Sequence, residues 1–195
     1  MHALVVIAHP NPNSLTHAIA NHVTQGITCP HTFEIADLTA EGFDPRYNTE
    51  DVDHFHQRIP APKDVAAEQA RLDRADALVL VFPIYWWSFP GMLKGWIDRV
   101  FARGWAYAER PDGTLVQKLQ RLPIHLVAVG GADAGTFTRH GYDTAMKAQI
   151  EHGIFGYCGA PVVQSEFLLN TDAGAQDGHF AQAKAIGAQV FAAPH

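Results

Sequence analysis

Cysteine is scarce in this chain. Cys29 and Cys158 are the only two, they form no CxxC pair, and no Cys/His grouping has the spacing of a metal finger. A disulfide between them is allowed but not suggested, and buried or idle thiols in a reducing cytoplasm fit that usage better. The 12 histidines are scattered, with only His54 and His56 close together, and no metal site is expected. Runs of Lys or Arg are missing too, and the formal net charge is -6. Nucleic acid and anionic membrane both select basic patches, so neither is an expected partner. The apolar start, Leu4 to Ala8, is far too short to cross a membrane, and it lacks the basic flank and cleavage site of a signal peptide. A cytoplasmic protein without membrane insertion is expected. Neither GxGxxG nor GxxxxGK[ST] occurs, which excludes the dinucleotide-binding fingerprint and the P-loop.

What is present is a chain of 195 residues, 47% hydrophobic, enough for one domain over residues 1–195 with a substantial core. Leu4 to Ala8 is a continuous apolar run, the mark of a strand covered on both faces. A helix follows with Leu15, Ala18, Ile19 and Val23 on one side, capped by Asn13 or Ser14. Thr32 to Ala36 reads as a second strand. Residues 37–62 show no period and read as a long surface excursion. A helix over Asp64 to Arg74 leads to a third strand, Ala77 to Phe82. The next helix carries Leu93, Trp96, Ile97, Val100 and Phe101 at helical spacing, with Ser88 as its expected cap and Pro90 in its first turn. Ile124 to Val129 and Val162 to Leu169 are the remaining strands. Helices are expected near Thr144 to Tyr157 and about Asp177 to Ala192. Strands thus alternate with helices five times. The expected architecture is α/β, a three-layer sandwich around a five-stranded parallel sheet of order 2-1-3-4-5. Ligands of such sheets sit beyond the carboxyl ends of the strands, at the switch between strands 1 and 3.

Three loops converge there. The first, His9 to Thr16, opens a helix whose free N–H groups suit a phosphate, or it is simply a capped helix start. The second holds Tyr85, Trp86, Trp87 and Phe89, four aromatics in five residues. These either seal the core or wall a flat conjugated ring. The third begins with Gly130-Gly131, a tight turn or a place where the backbone can approach a ligand closely. Thr136, Phe137, Arg139, His140, Gly141, Tyr142 and Asp143 rim it.

The stretch Phe82-Pro83-Ile84-Tyr85-Trp86-Trp87-Ser88-Phe89-Pro90-Gly91-Met92-Leu93-Lys94-Gly95-Trp96-Ile97-Asp98-Arg99-Val100-Phe101 closely resembles a signature of the NAD(P)H:quinone oxidoreductases. That family includes DT-diaphorase, modulator of drug activity B and the flavoproteins that accompany potassium efflux systems. Ala8-His9-Pro10 with Ser14-Leu15-Thr16, Ala67-Glu68-Gln69, Gly104-Trp105-Ala106-Tyr107, Gly130-Gly131 and Phe155-Gly156-Tyr157-Cys158-Gly159 resemble further family segments, in order. The resemblance implies a flavodoxin-like fold. It also implies a bound flavin, FAD or alternatively FMN, with NAD(P)H as co-substrate and a quinone or similar acceptor. His9, Ser14, Leu15 and Thr16 would hold the phosphates and ribityl chain. Pro83, Ile84, Tyr85, Trp86 and Trp87 would meet the isoalloxazine, and Gly130 and Gly131 would close its other edge. A homodimer is implied as well. The family's loop after the glycine pair carries a Tyr and a His that relay a proton. Phe137 stands nearest the Tyr position and Asp143 nearest the His, with Tyr142 and His140 beside it. Phenylalanine cannot donate a proton, so the resemblance implies a relay that is either absent or rebuilt from Tyr142, His140 or solvent. The alternative it offers is a regulatory subunit of a potassium efflux system. Asp98 and Arg99 read as structural pairing or dimer surface.

Overall fold

The computed structural model describes residues 1–169 and 175–192. The strands are β1 His2–Ile7, β2 Thr32–Asp37, β3 Ala77–Pro83, β4 Tyr107–Glu109, β5 Leu115–Gln117, β6 Ile124–Gly130 and β7 Val162–Leu169. The helices are α1 Leu15–Gly26, α2 Thr49–Phe55, α3 Lys63–Arg74, α4 Gly91–Val100, α5 Ala134–His140, α6 Tyr142–Met146, a π-helix Lys147–Gly156, and α7 Ala175–Gln189. Five strands form one parallel sheet in the order β2-β1-β3-β6-β7, which is the expected 2-1-3-4-5.

Alternation of side chains along the buried strands divides the core into two layers. Leu4, Val6, Leu78, Leu80, Phe82 and Leu126 face Leu72, Leu93, Trp96 and Phe155. Val5, Ile7, Val79, Val81 and Val127 face Ile19, Val23, Ile186 and Val190. Both faces of the inner strands are therefore covered, and their sequences are continuously apolar for that reason. On the second face α1 and α7 touch backbone to backbone. A Cβ on Gly187 would lie 1.9 Å from the Val23 carbonyl oxygen, so only glycine fits. Among the described residues, no helix is long and apolar enough to cross a membrane.

Three differences from the sequence reading have local causes. The excursion at 37–62 contains α2, a helix of seven residues too short to show a period. A capping box starts it, with Asn48 and Asp51 bonding each other's backbone N–H groups. The excursion is pinned by Arg99, buried in α4, which donates to Asp51 Oδ2 at 2.9 Å, to Asp64, and to the Asp44 carbonyl at 2.8 Å. Phe43 lies under its guanidinium. Arg99 is thus structural pairing, while Asp98 pairs with Lys94 one turn away. The hairpin β4–β5 was not expected, since its strands are three residues each. The helix expected near Thr144 to Tyr157 begins at Tyr142 and runs as a π-helix from Lys147.

The Glu68-Gln69 pair explains one matched segment. Glu68 accepts from Trp96 Nε1 at 2.8 Å and from Arg71 Nη1 at 2.9 Å. Gln69 donates to the Val100 carbonyl at 3.0 Å. These bonds fasten α3 to α4, and so fix the helix that follows the aromatic loop.

Candidate functional site

The loops after β1, β3 and β6 leave the carboxyl ends of neighbouring strands, where β1 sits between β2 and β3. The Ala8 N–H donates to the Val81 carbonyl at 3.4 Å, and the Ile84 N–H to the Val129 carbonyl at 2.8 Å. These two bonds hold the three loop bases side by side.

In the first loop His9 Nδ1 accepts from the Asn11 N–H at 3.0 Å, and Asn11 Oδ1 accepts from the Asn13 N–H at 2.9 Å. The turn delivers Ser14 to the head of α1, where its Oγ accepts from the His17 N–H and caps the helix. Ser14 Oγ also lies 2.9 Å from His17 Nδ1, and His17 Nε2 lies 2.9 Å from Asp37 Oδ2 at the end of β2. Asp37 Oδ1 accepts from the N–H groups of Thr39 and Ala40. Of the other expected contacts here, Thr16 is buried and Leu15 packs against the core behind the loop.

The second loop is a tight turn. Tyr85 and Ser88 exchange backbone bonds at 3.2 and 3.1 Å, with Trp86 and Trp87 between them at φ 49° and 57°. Positive φ at both central residues is the type I′ arrangement, which Asn and Gly ordinarily fill. Bulky residues held there carry strain of a kind that gathers at ligand clamps. Neither the Trp86 nor the Trp87 N–H has a partner among the described residues. Trp86 is 92% exposed, while Trp87 is half-buried. Ser88 does not cap α4 as expected. Its hydroxyl donates to Gln149 Oε1 at 2.7 Å on the π-helix, and α4 begins at Gly91 after Pro90, without a side-chain cap.

The third loop folds α5 and α6 over that turn. Asp133 caps α5 by accepting from the Thr136 N–H at 2.7 Å, a bond that holds its carboxyl below the usual range. Tyr142 stacks on Trp87 with centroids 3.7 Å apart and planes at 10°, and His140 lies 5.2 Å from Tyr142. Phe137 is buried edge-on to Trp87 at 5.3 Å. Asp143, half-buried in the first turn of α6, makes no side-chain hydrogen bond among the described residues. A Cβ on Gly130 would strike Leu169 at 2.7 Å, whereas Gly131 faces open space.

Ile84, Trp86, Trp87, Gly130, Gly131, Ala132 and Phe137 line a cavity of about 130 Å³. The structure thus brings the second- and third-loop candidates together, with Pro83 buried beneath them in β3. A larger cavity of about 450 Å³ lies at the far end of α4, between α2 and the π-helix, and takes no residue from the three loops. Cys158 borders it, and burial pushes that thiol up to about 11, which keeps it protonated and unreactive. The sequence reading missed His17, Asp37 and Gln149. His17 had a local signal, three residues after the cap. Asp37 and Gln149 are brought in only by the fold.

The sequence pattern of a family described as having a flavodoxin-like fold matches residues 1–190. The chain is 31% identical, over 86% of its length and 83% of the relative's, to an uncharacterized NAD(P)H oxidoreductase of Haemophilus influenzae. Among solved structures, it superposes on an NAD(P)H:quinone oxidoreductase from Methanothermobacter marburgensis with a TM-score of 0.86 and 25% identity, covering 96% of this chain and 98% of that one. General stress protein 14 from Treponema denticola, solved in complex with FMN, gives a TM-score of 0.68 at 25% identity, covering 97% of this chain and 98% of that one.

Proposed function

This chain belongs to the flavodoxin-like fold family of the NAD(P)H:quinone oxidoreductases, and from that premise we propose that it is a flavin-dependent NAD(P)H oxidoreductase acting on a quinone-like acceptor. One observation carries the reading. The cavity at the carboxyl ends of β3 and β6 is lined by Trp86, Trp87 and Phe137 together with Ile84, Gly130, Gly131 and Ala132. Such a slot suits a flat conjugated ring. The residues fit a flavin: the backbone N–H groups of Trp86 and Trp87 have no partner among the described residues and can meet ring heteroatoms, and the Gly131 face is open. The relative solved with FMN supports the same cofactor class.

When bound, a flavin supplies two-electron redox chemistry between NAD(P)H and acceptor. The chain's own residues do the rest. His9, Ser14 and the head of α1 bind the phosphate end through N–H and O–H donors. Leu15 and Thr16 back that turn. Pro83 and Ile84 fix the base of the aromatic turn, and Tyr85 closes it. Trp87, braced by Tyr142 and Phe137, holds one wall and excludes water. Proton delivery falls to Tyr142 and His140, which are stacked and exposed enough to exchange with solvent. Phe137 serves as wall, and Asp143 as a charge at the rim. The whole chain acts as one domain, as a homodimer.

Purified protein should be yellow, and the mass of the flavin released on denaturation decides FAD, the expected form, against FMN. Added quinone should drive NADH or NADPH oxidation without any partner protein, which separates an enzyme from a regulatory subunit. A colourless protein that takes up no flavin on reconstitution would end the proposal.

A further inference from the structure

We infer that His17 is a positioning residue that couples binding of the flavin phosphates at Ser14 to the uptake of one proton. The inference rests on the reading of the first loop as the phosphate end of the crevice. It follows from counting donors and acceptors along the chain Ser14–His17–Asp37.

Asp37 accepts on both oxygens, from the Thr39 and Ala40 N–H groups on Oδ1 and from His17 on Oδ2. A bare Nε2 facing that carboxylate at 2.9 Å would set two acceptors against each other, so Nε2 carries a proton. What varies is Nδ1. Ser14 Oγ has one O–H to donate and two lone pairs to offer. One lone pair is engaged by the His17 N–H, the capping bond at 3.3 Å. With His17 neutral, Nδ1 accepts, and the Ser14 O–H must point at it across 2.9 Å. The hydroxyl then has only a lone pair to offer a phosphate at the head of α1, and a lone pair repels a phosphate oxygen. With His17 cationic, Nδ1–H donates to the second lone pair. The Ser14 O–H is then released from His17 and can donate to a phosphate at the head of α1.

Other features favour this exchange. His17 is 9% exposed, so its ring cannot trade these partners for water. The cation would be balanced by Asp37 on one side and by the phosphate on the other. His9 is the remaining titratable group facing it among the described residues, with ring centroids 6.2 Å apart and edge-on. Its Nδ1 is occupied by Asn11, lying 3.0 Å from the Asn11 nitrogen and 3.3 Å from its carbonyl oxygen. It does not compete for Ser14.

The test is calorimetric titration of the flavin-free protein with FAD, from about pH 5 to about pH 8, in buffers of different ionisation enthalpy. FAD is the probe because its pyrophosphate has no proton to exchange there, whereas the phosphate of FMN titrates near about pH 6. The wild type should take up about one proton per FAD at the alkaline end, with affinity falling toward tenfold per pH unit. Ring-nitrogen NMR of the wild type should show His17 Nδ1 gaining its proton on binding, separately from His9. His17→Gln can still bridge Ser14 and Asp37 but has no proton to gain, so its affinity should lose the pH slope. A residue that only packed would leave the slope in place. FAD binding by the wild type without proton uptake, or with unchanged His17 shifts, overturns the inference alone. Failure of FAD to bind at any pH overturns the flavin reading, and this inference with it.

Discussion

The first loop and the aromatic turn leave the carboxyl ends of neighbouring strands and are held in opposite ways. His9 to Ser14 is a relaxed turn in which short polar side chains bond their own backbone, and a histidine and an aspartate behind it complete a hydrogen-bonded chain. Among the described residues, the aromatic turn uses no side-chain hydrogen bond at its tip. Trp86 and Trp87 sit at positive φ, and the second is clamped between Tyr142 and Phe137. One wall is fixed by directional bonds, so it responds to protons. The other is fixed by packing against strain, so it responds to volume and backbone.

Removing the clamp has the largest expected effect. Trp87→Ala deletes the stack on Tyr142 and the edge contact with Phe137. At about 0.5–1.5 kcal/mol per aromatic pair, the loss is about 1–3 kcal/mol. Flavin affinity should fall roughly ten- to hundredfold, measured by fluorescence titration. If affinity is unchanged, the aromatic turn is not the ring wall, and the contrast between the walls loses its functional meaning.

A second histidine sharpens the polar side of the contrast. His17 has both ring nitrogens engaged. His125 in β6 is also buried, yet only its Nδ1 is bonded, to Gln164 at 3.2 Å, and its Nε2 lacks a partner among the described residues. Burial pushes its pKa below the ordinary 6.5. The sign follows: above about 6.5 the ring is neutral in both folded and unfolded chains, and no stability is at stake. As pH falls below that value the unfolded chain gains a proton that the folded chain refuses, and stability drops by at most about 1.4 kcal/mol per pH unit until the lower folded value is passed. His125→Leu should flatten this slope in melting experiments, and an unchanged acid slope would show that other groups set it.

Ser14→Ala should cost about 1 kcal/mol of stability through loss of the cap, read from urea unfolding, and should weaken flavin binding as well. Loss of stability with unaltered binding would make Ser14 a cap alone.

Legibility in the sequence divides along the same line. The five strands, their order and the aromatic loop at a strand end could be read because each signal is local: continuous apolar runs, a capped helix start, four aromatics together. The partners that complete the walls could not. Asp37 ends a strand 20 residues beyond His17, and Gln149 meets Ser88 across 61 residues. Tyr142 was named for its chemistry, but its place on Trp87 depends on where α5 ends, at Gly141 in the left-handed region. Ser88 read as a cap because serine before a helical period usually is one. Here the turn aims it at the π-helix instead. The α2 helix escaped notice because seven residues carry too little periodicity.

The smallest expected effect tests the strained wall most directly. Trp86 is 92% exposed at φ 49° and has no aromatic partner among the described residues. A bulky residue in that region costs about 1–2 kcal/mol, and glycine there removes that cost but loses about 0.5–1 kcal/mol more backbone entropy on folding. Trp86→Gly should therefore be about 0.5–1 kcal/mol more stable than the parent by urea unfolding. If the tryptophan is kept at this position for a ligand, the more stable variant should bind flavin less well. A gain in stability with full binding would mean that only Trp87 forms the wall. A loss in stability would mean that Trp86 is not strained, and that the two walls differ less than their geometry indicates.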